Sequence, residues 1–134
     1  MARTRVTWVI LLITASLHAA VAVTQPILAG ACLNGELAAM QVHGPLGSGL
    51  VTVTMFLLAP AAVLFIFPGK GSFWPAIITV LLFFGEGLQI GMGYTRQFGI
   101  HIPLGVAIVG TSVALVWYLV AWRYRLAKKL RGQP

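Results

Sequence analysis

The chain has 134 residues, of which 59% are apolar and 8% charged, against about a quarter charged in an ordinary soluble domain. So little charge cannot solvate a globular surface, and so high an apolar content excludes disorder. Lys+Arg 9 against Asp+Glu 2 leave a formal net charge of +7. These charges stand at the ends of apolar runs, which points to membrane orientation and away from nucleic acid.

The intervals between charges set the elements. Arg5 to Glu36 encloses 30 uncharged residues, Glu36 to Lys70 33, Lys70 to Arg96 25 broken only by Glu86, and Arg96 to Arg123 26. A bilayer-crossing helix needs about 20 residues, so each interval holds one span. The expected helices cover 6–30, 38–66, 74–93 and 99–124, and the basic tail from Arg123 to Arg131 carries the last one on past the membrane. The first joint holds Asn34-Gly35, the second Phe67-Pro68-Gly69-Lys70-Gly71 and the third Tyr94-Thr95-Arg96, all turn chemistry. Loops this short make antiparallel neighbours, so the expected fold is all-α: an integral membrane four-helix up-down bundle, one domain over 1–134. Nothing is left over for a soluble catalytic domain.

Orientation follows from the cations. Arg3, Arg5, Lys70, Arg123, Arg125, Lys128, Lys129 and Arg131 fall on one side, and Arg96 alone on the other. Both termini are therefore expected in the cytoplasm. The start, Arg3 and Arg5 followed by an apolar run and Ala20-Val21-Ala22, has the outline of a signal peptide. The apolar stretch continues to about Ala31, however, and is read as a retained span. The single cysteine, Cys32, can form no internal disulfide.

Lipid penalises buried polarity, so polar residues within spans are the informative ones. They are His18 and Gln25 in the first helix, Gln41 and His43 in the second, Glu86 and Gln89 in the third, and His101 in the fourth. On these limits Gln25, His43, Gln89 and His101 share one outer layer, with His18 and Glu86 deeper. Glu86 is expected to face the bundle interior, carrying a proton unless Arg96 or a histidine reaches it. A short repeat links two of the histidines: His43-Gly44-Pro45-Leu46-Gly47 and His101-Ile102-Pro103-Leu104-Gly105, 58 residues apart, each opening an outward-to-inward helix. Proline fits a helix's first turn, which would place each histidine near a positive helix end. That field disfavours imidazolium, and the neutral ring is the ligating form. Gly47 and Gly105, four residues on, lie on the same face as their histidines and would leave room for a flat cofactor. Gly87-x-x-x-Gly91 has instead the pattern of a helix-packing seam.

With these segments in view, the chain resembles one four-helix half of haem A synthase, whose halves each present histidines from their second and fourth helices to a haem. The resemblance covers the topology of the whole chain, and its sequence-specific part is the His43 and His101 segments. It implies a bis-histidine haem site. There is one half here, and Glu36 stands farther from His43 than the acid of that family's first outer loop, so the family's chemistry does not transfer.

Three readings follow. In the first the chain binds haem b through His43 and His101, with His18 as an alternate ligand. Gly47 and Gly105 give clearance, Gln25 and Gln89 support the ligands, and Arg96 pairs with a propionate. Its role is then electron transfer to a redox partner, or haem handling, more than catalysis. In the second, Glu86, Gln89 and the histidines hold a quinone. In the third, the chain is an accessory subunit of a larger membrane complex and its polar residues only join helices.

Overall fold

The computed structural model describes residues 2–132. It is helical nearly throughout: α1 (Ala2–Leu33), α2 (Ala38–Pro45), a π-helical turn (Leu46–Leu50), α3 (Val51–Ile66), α4 (Trp74–Tyr94) and α5 (Phe98–Leu130). The segment Ala38–Ile66 continues through the π turn, so the chain has four helices long and apolar enough to cross a membrane. α1 starts at Ala2, four residues before the expected limit, and α5 runs on through Arg123 to Leu130 as expected of the basic tail, because Arg, Lys, Leu and Ala are good helix formers. Both helices are about 48–50 Å long at 1.5 Å per residue, well beyond the roughly 30 Å of a hydrocarbon core.

Each helix buries one stripe. On α1 it is Leu11, Ala15, His18 and Ala22; on α4, Pro75, Thr79, Leu82 and Glu86; on α5, Ile108, Ser112, Leu115 and Leu119. These three- and four-residue steps place the buried residues of each helix on one face. The opposite faces are apolar too, with Phe56, Leu81, Phe84, Val106 and Trp117 all exposed, as in helices that meet lipid. α1 packs against α3 and α5, and α4 against α5 and α3. Ala15, Ala19, Ala22, Ala61 and Ala62 are buried in these seams, where small side chains let helices approach. The expected seam at Gly87 and Gly91 is not seen among the described residues: a Cβ at either would meet none of them within 4 Å.

One end of the bundle is tied by specific contacts. The Trp8 indole Nε1–H donates to the Leu119 carbonyl (2.9 Å), Tyr118 donates to the Ser72 hydroxyl (2.9 Å), and Phe65 meets Trp122 edge-on with ring centres 5.0 Å apart. The turn after α3 sits tight against this cluster. A Cβ at Gly69 would overlap the Phe65 and Leu64 carbonyl oxygens and the Thr7 hydroxyl. Because the obstacles are mostly backbone, Gly69→Ala is expected to destabilise the protein by about 1–3 kcal/mol. Thermal unfolding in detergent checks this, and an unchanged midpoint would mean that the turn is free to move.

The second span is where the local reading needs correction. α2 starts at Ala38, so His43 stands in its second turn and Pro45 at its end. Leu37 to Val42 lack a breaker and propagate the helix outward past the proline. Pro45 has no N–H for the preceding turn, and the wider π turn follows immediately. Pro103 likewise lies inside α5, five residues after its start, while His101 remains in the first turn. The helix-dipole argument therefore applies to His101 and not to His43.

Candidate functional site

The opposite end of the bundle gathers Gln25, His43, Gln89 and His101 from four different segments. The His43 Nδ1 lies 3.2 Å from the Gln25 carbonyl oxygen, and the His101 Nδ1 2.9 Å from the Gln89 carbonyl oxygen. A carbonyl only accepts, so each Nδ1 carries the hydrogen, and in a neutral ring the lone pair is then at Nε2. The two carbonyls thus fix the same tautomer twice. The rings meet edge-on, with centres 6.2 Å apart and planes at 74°.

The glutamine side chains repeat the symmetry. A Cβ at Gly47 would stand 3.0 Å from Gln25 Oε1, and one at Gly105 2.8 Å from Gln89 Nε2. The room at Gly47 and Gly105, expected for a cofactor, is given to these two amides. Each half of the site is therefore built alike: a glutamine on one helix accepts the histidine of the next with its carbonyl and lays its side chain over the glycine one turn beyond. This likeness extends the five-residue repeat into three dimensions. Gln89 also brings its amide nitrogen to 3.4 Å from His101 Nε2. Gln25 Nε2 and Gln89 Oε1 are buried without a hydrogen-bond partner.

Gly93 belongs to the site and was not singled out in the sequence. A Cβ there would come within 2.9 Å of His101 Cε1, so the imidazole lies flat on α4 only because that position has no side chain. The signal was available as the pair Gly91 and Gly93 at the end of a span, eight residues before His101. Arg96 is exposed in the neighbouring turn with φ 59°, and it makes no ion pair among the described residues. Tyr94 bridges the halves weakly, its hydroxyl 3.4 Å from that of Ser48.

His18 is separate from this pair. Its ring is fully buried, with Nδ1 3.0 Å from the Thr54 hydroxyl and Nε2 2.8 Å from Glu86 Oε1. Its ring stands two turns deeper than Gln25, in contact with Thr54 and Glu86 and apart from the His43–His101 pair. Glu86 faces the interior as expected, with 5% of its surface exposed, and the group that reaches it is His18. Arg96 does not. Glu36 is exposed in the first loop, outside the site.

The donor set can be tested against a haem. Both Nδ1 atoms are taken by backbone carbonyls, so His43 and His101, with ring centres 6.2 Å apart, would each have an Nε2 lone pair to offer to such a group. The Gln89 amide beside Nε2 has to turn aside, which a terminal carboxamide does freely. Among the described residues no group of three or more His, Cys, Asp or Glu could hold a metal ion. In comparison with known proteins, the chain matches no family model, no curated protein and no solved structure.

Proposed function

We propose that the chain is a multi-pass membrane protein, an up-down four-helix bundle with both termini in the cytoplasm, that binds one haem b between His43 and His101. The observation that carries this reading is the pair of neighbouring imidazoles, ring centres 6.2 Å apart, each held in one tautomer by the backbone carbonyl of a glutamine. The resemblance to one half of haem A synthase supports it, since the same two helices supply the ligands. A bound haem b supplies a one-electron couple. The chain's own part is to hold the two Nε2 atoms in place, to bury the site's inner side against Gln25 and Gln89, and to offer the Arg96 guanidinium to an anionic substituent at the outer rim. Such a site suits electron transfer with a redox partner, or haem handling, and calls for no catalytic base.

Haem supplied during expression should copurify at about one per chain, as the two-ligand site holds one ion. Quantitation as the pyridine complex checks the stoichiometry, and a folded preparation free of haem rejects the reading.

A quinone head is the second reading. It is favoured by Gln25 Nε2, a buried donor with no acceptor, which a quinone oxygen would satisfy. In that case the purified protein is colourless and retains extractable quinone. The orphaned amides argue for an occupant of either kind over simple interhelical glue, in which the polar atoms pair with one another.

The topology has its own test. In a Cys32→Ala background, Gly35→Cys should react with an impermeant thiol reagent in intact cells and Lys129→Cys only after permeabilisation. The opposite pattern contradicts the charge argument.

A further inference from the structure

His18 and Glu86 are not used by the haem reading, yet burying them is costly. Thr54 gives its hydroxyl hydrogen to the Val51 carbonyl (2.9 Å), so its oxygen receives from His18 Nδ1 (3.0 Å). That leaves His18 Nε2 facing Glu86 Oε1 at 2.8 Å, not lined up as a hydrogen bond, and Glu86 Oε2 without any partner. An imidazole lone pair and a carboxylate oxygen repel at this distance unless a proton belongs to one of them. The pair therefore owns one proton, as carboxylate with imidazolium or as carboxyl with neutral imidazole, and both forms are neutral overall.

The surroundings define where that proton can go. Toward the Trp8 and Trp122 end the core is built from Leu11, Leu58, Phe65, Leu82, Leu115 and Leu119, and the buried hydroxyls there, of Thr7 and Thr79, are bonded to carbonyls of their own helices. Toward the other end the next inward-facing groups are Gln25 and Gln89, with their unpartnered amide atoms, and Gln89 is one turn, about 4.5 Å of rise, above Glu86. Among the described residues α1 contributes His18 and α4 Glu86 as buried titratable groups. The buried polar groups of α3 and α5 there are Thr54 and Ser112, the latter bonded to the Ile108 carbonyl (2.8 Å). The other titratable groups at that end of the core are His43 and His101 themselves.

We propose that His18 and Glu86 form one proton-holding site that opens only toward the His43–His101 end and takes up or releases a second proton as charge changes at that histidine pair. The second half of this statement rests on the haem reading. A haem held there would lose one positive charge on accepting an electron from a one-electron reductant, and a proton from water at that end would then add to the pair at Glu86, whose Oε2 has no partner. Reoxidation would return the electron and that second proton.

Two measurements on the full-length protein in lipid nanodiscs test this. The chain has two Asp and Glu in all, so comparison with Glu86→Gln isolates the Glu86 signal. In haem-free protein, infrared difference spectra between about pH 4 and 10 should show a deuterium-sensitive carboxyl band that Glu86→Gln removes and His18→Asn shifts. No pH-dependent band assignable to Glu86 overturns the proton site. With haem bound, the midpoint potential should fall with rising pH, approaching one proton per electron, a tenfold change per pH unit or about 59 mV. Glu86→Gln should flatten that slope while keeping the wild-type reduced bands. A pH-independent potential in coloured wild-type protein overturns the coupling and leaves the haem reading intact. A colourless protein overturns the haem reading and the coupling together, and the infrared measurement still decides the proton site.

Discussion

His43→Ala and His101→Ala are each expected to abolish the narrow visible bands of six-coordinate haem, leaving either colourless protein or a five-coordinate spectrum. The two should behave alike, because each imidazole is held by the same device, a glutamine carbonyl at its Nδ1. Truncation removes the ligand but leaves α1 and α4 with their own contacts, and both histidines are only partly buried. The fold should therefore survive, and helical circular dichroism in detergent should be unchanged. His18→Asn is the control. Its side chain is engaged with Thr54 and Glu86, so its loss should leave the bands in place. Loss of haem on changing His18 but not His43 would overturn the ligand assignment.

The largest expected effect on folding is at Glu86. Glu86→Lys puts an ammonium beside a fully buried imidazole and removes the carboxylate that matches it. Removing one partner of a buried pair costs about 3–5 kcal/mol, and the introduced charge adds to that. Little or no folded protein should be recovered from the membrane fraction. Glu86→Gln keeps shape and polarity and should stay within about 1 kcal/mol of the wild type. Yield and unfolding temperature in detergent measure both. Normal insertion and stability of Glu86→Lys would mean that the side chain reaches water.

The four spans were legible because lipid forces long uncharged runs and short joints on the chain. The polar layer was legible for the same reason: Gln25, His43, Gln89 and His101 are costly at that depth unless they meet, and they do meet. What was not legible depends on how helices rotate against one another. Nothing in the linear order says that His18 on α1 faces Glu86 on α4, 68 residues later. Gly47 and Gly105 lie beside the same glutamines as their histidines, and those glutamines come from other helices. The Pro45 reading failed locally. A proline suggests a helix start, while the residues from Leu37 to Val42 extend the helix past it and the π turn absorbs the missing N–H. At Gly87 and Gly91 the packing pattern is present in the sequence, but no described residue lies within 4 Å of a Cβ there.

The reduced-minus-oxidised visible spectrum of the detergent-purified protein, expressed with ample haem, bears most directly on the whole account. Two histidine ligands on one haem b predict sharp, low-spin bands on reduction by dithionite, lost in both His43→Ala and His101→Ala. A folded, helical protein that shows no such bands and takes up no added haem would contradict it.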